Sequence, residues 1–225
     1  MARRFRQNLG LILGLAVGVL LLVVLLLSDQ EAWHARGPMT SGHEDVACEH
    51  CHRPAPGSLR QQLQANVRHL LGRRATAADF GLQQAGNSEC LGCHDFPEER
   101  HPVFRFFEPR FQKSRDALHP EFCVSCHLEH RGQRVTLGSI DYCRHCHEET
   151  RLKSDPLDVS HVSLIKAEKW DSCLGCHDFH GNHLMTTREQ LQEAIPPAQI
   201  LEYFRGGPSP YSADRKFTAR REPLR

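Results

Sequence analysis

Five cysteine pairs, each followed at once by a histidine, are the residues of this sequence that could do chemistry. The phrases CEHCH, CLGCH, CVSCH, CRHCH and CLGCH begin at residues 48, 90, 123, 143 and 173. Two thiols separated by two residues can each add to a vinyl group of one porphyrin, and the adjoining imidazole can then bind its iron. The spacing therefore predicts five sites for covalently attached haem c.

These predicted sites use every cysteine of the chain. The thiols that would hold the porphyrins are Cys48, Cys51, Cys90, Cys93, Cys123, Cys126, Cys143, Cys146, Cys173 and Cys176. The predicted proximal iron ligands are His52, His94, His127, His147 and His177. Paired cysteines also form disulfides or zinc sites, but such zinc sites normally take two pairs each, which leaves one of five unmatched. Neither alternative requires a histidine after every pair.

The histidines outside the predicted proximal set could supply the second axial ligand of each iron. Five of the sixteen histidines are the predicted proximal ligands, which leaves eleven, whereas Met39 and Met185 are the only methionines beyond Met1. An iron held by two imidazoles has no vacancy for a substrate and only passes electrons. The candidates for distal ligands are His43, His101, His119, His130, His161 and His180.

Their positions suggest which haem each candidate could reach. His130 and His180 each stand three residues after a proximal histidine. On a helix this offset puts both rings on one face, so each is expected to reach the iron of a neighbouring haem. The sequence leaves open whether His101 or His119 is the fifth distal ligand. It also leaves open whether His183 takes the place of His180.

The N-terminal segment predicts a membrane anchor. Residues 9–27 form an uncharged, apolar stretch of 19 residues, preceded by Arg3, Arg4 and Arg6. That length just spans a bilayer, and the arginines favour a cytoplasmic N-terminus. The following SDQEAWHARG has no convincing signal-peptidase site, so we expect an uncleaved single-pass anchor in a bacterial inner membrane. The haem domain would then lie in the periplasm.

Composition and patterning give the expected architecture. A net charge of +1 and a pI near 7.7 argue against a nucleic-acid-binding protein. We expect a mostly α fold with long loops, in which the N-terminal transmembrane helix precedes a multihaem domain whose core is formed by the haems. The predicted boundaries are an anchor over 1–30, the haem domain over 31–195 and an extended C-terminal tail over 196–225.

Two helices and the tail can be predicted locally. Residues 58–72 carry Leu59, Leu63 and Val67 on one stripe, which predicts an amphipathic helix that ends at Gly72. Capping-box spacing in TREQLQEAI predicts a second helix, which ends at the proline pair 196–197. The tail lacks apolar periodicity, so it is expected to be disordered or to lie against a partner.

At the level of families, residues 48–183 with the anchor resemble the membrane-anchored multihaem cytochromes c. These include the class III type, whose haems have two histidine ligands, and the NapC/NirT quinol dehydrogenases. The phrase CHLEHRG is similar to the class III pattern, whereas NapC-like proteins usually carry four haems and a first site unlike CEHCHRP. A pentahaem subunit with one anchor is also similar in plan to a component of alternative complex III.

This resemblance implies electron transfer. The expected donor is the membrane quinol pool or a quinol-oxidising partner protein, and the expected acceptor is periplasmic. The alternative is a multihaem reductase of a small nitrogen or sulfur oxyanion with one open haem. Known pentahaem nitrite reductases use a lysine in place of one motif histidine, but all five motifs here end in histidine. We therefore expect an electron-transfer protein rather than an enzyme.

Overall fold

The chain forms two compact units, Met1–Pro38 and Met39–Arg225. The computed structural model describes residues 2–26, 35–185, 188–212 and 216–220. Within these ranges the secondary structure is helical. The ranges contain no β-strand, and Pro54 and Leu82 form an isolated antiparallel bridge. The expectation of a mostly α fold is confirmed.

The first unit contains one long helix, α1, over Ala2–Leu26. Its segment Arg4–Val24 is long and apolar enough to cross a membrane. The leucines and valines of α1 from Leu9 to Val23 are exposed, so no protein core covers them. A helix of this length and composition at the N-terminus agrees with the expected anchor, of which residues 1 and 27–30 lie outside the described residues.

The second unit is made of short helices joined by long loops. Its α-helices are α2 (Cys48–Cys51), α3 (Leu59–Leu70), α4 (Asn87–His94), α5 (Gln112–Leu118), α6 (Arg144–His147), α7 (His161–Lys166) and α8 (Pro197–Phe204). Its 3-10 helices are Val103–Phe107, Pro109–Phe111, Cys123–Ser125, Asp141–Cys143, Trp170–Gly175 and Leu191–Glu193.

The helix predicted over 58–72 is present as α3. The Ser58 hydroxyl accepts from the backbone N–H of Gln61, and the Gln61 side chain accepts from the backbone N–H of Ser58. This capping box fixes the start of the helix. Gly72 follows its end with φ +68°, a left-handed conformation that glycine adopts without steric cost.

The apolar core built by the polypeptide is small. Ile140, Leu174, Ile200 and Phe204 form its one cluster of buried residues in the described part of the chain. Two of these four side chains belong to α8, whose last carbonyl accepts from the backbone N–H groups of Arg134 and Val135. So few buried apolar residues would give a domain of this size little stability without additional apolar material.

The C-terminal prediction needs two corrections. Residues 197–204 are a core helix rather than part of an extended tail, because Pro197 starts α8 at a position where proline is favoured. The helix expected before the proline pair is only the 3-10 turn Leu191–Glu193; residues 186–187 lie outside the described part.

The described tail residues also lie against their own domain. The backbone N–H of Arg220 donates to the carbonyl of Cys93 at 3.0 Å, and the Phe217 ring stacks on Phe96 at 5.0 Å. The sequence predicts a tail that is disordered or lies against a partner, whereas these residues contact their own domain. Residues 213–215 and 221–225 are outside the described ranges.

Candidate haem-binding sites

Each CxxCH motif lies in one tight helical turn. The backbone N–H of His52 donates to the carbonyl of Cys48 at 2.8 Å, and His127 and His177 make the same bond to Cys123 and Cys173 at 2.9 Å. Motifs two and four occupy α4 and α6. The turn gathers both thiols and the imidazole of a motif into one small region, as attachment to a single macrocycle requires.

Every motif histidine lies opposite one other histidine. The pairs and their ring-centroid distances are His52 with His130 at 6.2 Å, His94 with His43 at 5.9 Å, His127 with His180 at 6.2 Å, His147 with His101 at 6.2 Å, and His177 with His161 at 6.2 Å. No distal histidine is shared between two motifs. Residues as far apart in the sequence as 52 and 130 are brought together in this way.

The distances match two imidazoles on opposite sides of one metal ion. A ring nitrogen binds a first-row metal at about 2.0 Å, and the ring centre lies roughly 1.1 Å beyond the nitrogen. Two imidazoles in line across one ion are therefore separated by about 6 Å between ring centres. All five observed pairs fall close to this separation.

The second nitrogen of most of these rings is already hydrogen-bonded. The Nδ1–H groups of His52 and His127 donate to the carbonyls of Gln83 at 2.8 Å and Arg134 at 2.6 Å. Nδ1 of His101 donates to the carbonyl of Phe179, and Nδ1 of His147 lies 3.4 Å from the Thr150 hydroxyl. A carbonyl can only accept, so in His52, His101 and His127 the proton is on Nδ1 and the lone pair on Nε2.

Three distal candidates are held by carboxylates instead. Nδ1 of His43 lies 2.6 Å from Glu129, Nδ1 of His161 lies 2.9 Å from Asp155, and Nδ1 of His180 donates to Glu99. A carboxylate partner fixes the ring orientation and raises the basicity of Nε2, a common arrangement behind metal-bound histidines. Sequence reasoning missed these acids. Asp155, six residues before His161, and Glu129, next to His130, were visible as acids near candidate ligands.

Burial favours the neutral form of several of the rings, and the neutral form is the one that binds a metal. Desolvation lowers the pKa values of His94, His101, His127 and His177. His43 differs, because its hydrogen bond to Glu129 raises its pKa. Burial opposes ionisation of Glu129, but its hydrogen bonds from His43 and Thr40 outweigh this and lower the pKa of Glu129 to about 2.

Two histidines left open by the sequence are not paired in this way. The His119 ring is mostly exposed beside Glu121 and Phe122, on a residue with φ +49°. His183 is buried, but it stacks on Tyr211 at 4.7 Å between ring centres. The structure therefore pairs His101 and His180 with motif histidines, and it pairs neither His119 nor His183 with one.

The expected helical setting of His130 and His180 is wrong. The 3-10 helices of motifs three and five end at Ser125 and Gly175, before these histidines. His130 has φ +62°, and the chain turns again at Gly181 with φ +70°. The turns nevertheless direct each ring to a different motif from the one it follows, as expected.

The ten thiols are not joined as disulfides. Cys90 contacts Cys123, and Cys143 contacts Cys173, so the first cysteines of motifs two and three, and of motifs four and five, are neighbours. The described residues contain no cluster of three or more histidines, cysteines or acids that could hold a bare metal ion. Two protein ligands per iron are enough when a porphyrin supplies four nitrogens, so the residues present fit haem c.

Comparison with protein-family models, with curated proteins and with solved structures finds no match to this chain. The function is therefore inferred from the residues of these sites.

Proposed function

We propose that this chain is a membrane-anchored electron-transfer protein that carries five haems c. The observation that carries the proposal is the set of five histidine pairs. Each pair joins one motif histidine to one distant histidine at the separation expected for two axial ligands. Haem c, once bound, supplies an iron that changes between the ferric and ferrous states by one electron.

The pairing assigns a role to each ligand. His52, His94, His127, His147 and His177 would be proximal, and their distal partners in the same order would be His130, His43, His180, His101 and His161. Each motif's two cysteines would hold the porphyrin edge. The Nδ1 hydrogen bonds orient the rings and leave Nε2 directed to the metal.

The same pairing favours electron transfer over catalysis at iron. A reductase of a nitrogen or sulfur oxyanion would need one motif whose imidazole has no partner across the site, so that a substrate could bind there. All five motif histidines lie within the described residues, and each faces a second imidazole. No observation on the described residues favours the reductase.

The membrane segment suggests where the electrons come from. With α1 in a bacterial inner membrane and the second unit in the periplasm, the donor would be the quinol pool or a quinol-oxidising partner. The acceptor would be a periplasmic redox protein. The chain would then be a single-pass component of a respiratory pathway.

The proposal is tested by haem counting and electron paramagnetic resonance on the purified full-length protein. A pyridine haemochrome assay should give five haems per chain, and the ferric protein should show low-spin signals alone. Three or fewer haems in a strain with intact haem-attachment machinery would contradict the cofactor assignment. A high-spin signal from about one iron in five would favour the reductase instead.

A further inference from the structure

Helix α3 is attached to its domain by amides rather than by its leucines. Gln62 is only 4% exposed, and its side-chain NH2 group donates to the carbonyls of Ala55 and Gly57. Its side-chain oxygen accepts from the backbone N–H of Gly81 at 2.9 Å. One turn later, the Asn66 side chain donates to the carbonyl of Ala78 and accepts from its backbone N–H. The polar stripe of this amphipathic helix therefore faces its own protein.

The apolar stripe of α3 lies beside that attachment and is exposed. Leu59, Leu63 and Leu70 are 62%, 57% and 85% exposed, and Val67 lies between them on the same stripe. The spacing of four, four and three residues keeps these four side chains on one face. The helix is 12 residues long, so this face extends for about 18 Å. A continuous apolar surface of this kind is uncommon on a soluble protein that binds nothing there.

Positive charge surrounds the stripe. Arg60 and Arg68 are on the exposed side of the helix, and Arg73 and Arg74 follow its end. The sequence has no acidic residue from 50 to 78. Among the described residues, none of these four arginines forms an ion pair. A leucine stripe next to arginines suits a binding surface that has an apolar layer with anionic groups at its edge.

We propose that α3 binds the surface of a bilayer that contains anionic phospholipids. The leucine stripe enters the boundary between headgroups and acyl chains, and the arginines contact lipid phosphates. A bilayer is available to this helix because α1 can anchor the same chain in one. Tethering raises the local concentration of the membrane surface, so a single amphipathic helix of 12 residues is sufficient.

A membrane-bound α3 sets the orientation of the second unit. α3 follows the first motif closely, and its Gln62 holds the loop 55–57 that leads away from His52. Binding along α3 would therefore hold this loop, and the first motif before it, close to the lipid surface. This consequence for electron entry rests on the proposed function, whereas lipid binding by α3 does not.

The test compares amide hydrogen exchange of residues 59–71 in the full-length, haem-loaded protein. The protein is studied in neutral detergent micelles, in nanodiscs of phosphatidylcholine, and in nanodiscs of equal parts phosphatidylglycerol and phosphatidylcholine. We expect exchange about tenfold slower in the anionic nanodiscs than in detergent, and a smaller effect in the neutral ones. The variant Leu63→Glu should remove this protection.

Leu152→Glu is the matched control, because it places the same charge on another exposed leucine. It should retain the protection, and both variants should keep the parent haem content by absorbance. Exchange that is equal in all three environments overturns the proposal. Protection that is already complete in detergent also overturns it, because anionic phospholipid then adds nothing. Loss of haem in Leu63→Glu alone identifies a haem as the occupant.

Discussion

At the scale of single residues, most of the proposed ligands have a hydrogen-bonded Nδ1, which leaves Nε2 for a metal. Nδ1 of His127 is tied to the backbone at Arg134, and Nδ1 of His180, across the same site, is tied to Glu99. The two partners differ in charge, so the two imidazoles differ in basicity. The local environment of Nδ1 thus offers a way to give five similar sites different reduction potentials.

The first prediction concerns the assignment of the distal ligands. His101→Ala and His180→Ala should each produce a high-spin ferric signal from about one iron in five, because one axial ligand is lost. His119→Ala and His183→Ala are the matched controls and should leave the ferric spectrum low-spin. Electron paramagnetic resonance of the oxidised variants is the measurement. A high-spin signal from His119→Ala with none from His101→Ala would reverse the first assignment. A high-spin signal from His183→Ala with none from His180→Ala would reverse the second.

The second prediction concerns the carboxylate behind His180. Glu99→Gln should raise the reduction potential of the haem at motif three, on the order of 50 mV, because a less basic imidazole stabilises ferric iron less. Spectroelectrochemical titration measures the shift. Glu98→Gln removes the adjacent charge, which pairs with Lys216 and not with a histidine, and should change the potential little. Equal shifts in both variants would indicate a general charge effect instead.

At the scale of elements, the turn that carries motif five packs closely against the chain before α8. A Cβ added at Gly175 would lie 2.6 Å from the carbonyl oxygen of Ile195 and 3.1 Å from Cβ of Ala194. The backbone N–H of Ile195 in turn donates to the carbonyl of Gly175 at 3.1 Å. The glycine of CLGCH therefore serves packing at this motif, in addition to any role in haem attachment.

The third prediction follows from this close approach. Gly175→Ala should destabilise the protein by about 1–3 kcal/mol through steric overlap with backbone atoms. This corresponds to a fall of roughly 2–12 °C in the melting temperature for a domain of this size. Gly138→Ala is the control, because a Cβ there meets nothing within 4 Å. Thermal unfolding followed by circular dichroism compares them, and equal changes would contradict the packing argument.

The sequence allowed prediction of what depends on local spacing. The motif turns, α1 and α3 follow from residues close together in the chain, so pattern alone was sufficient. The choice of His101 over His119 depends on contacts with His147, far along the chain, and no local signal separates the two. The proline pair 196–197 predicts the end of a helix, but proline is also favoured at the start of one, so the local pattern does not reveal α8.

At the scale of the whole molecule, the second unit combines few buried apolar side chains with many long-range histidine pairs. Its core cluster contains four buried residues in the described part of the chain, two of them from α8. Five porphyrins would add the apolar volume that this core lacks, and each would join two distant segments. Cofactor binding and folding would then be one process, as in other small metal-dependent domains.

The fourth prediction concerns the independence of the two units. Replacing residues 1–27 with a cleavable secretion signal should release a soluble, red protein with five haems per chain, because Met39–Arg225 is a compact unit by itself. The measurement is haem content and ultraviolet–visible absorbance of the periplasmic fraction. The full-length chain expressed in the same strain is the control. Loss of haem in the released form alone would mean that α1 is needed for maturation.

The order of partners along the chain has a consequence for biosynthesis. His43, His101 and His161 come before the motifs they face, so each would already be outside the membrane when its motif emerges. His130 and His180 come 78 and 53 residues after His52 and His127. At roughly 5–20 residues per second, the first and third irons would wait about 3–16 s for a sixth ligand. An emerging chain would thus present first one open iron and then another to small molecules such as cyanide or nitric oxide, which the finished protein would exclude.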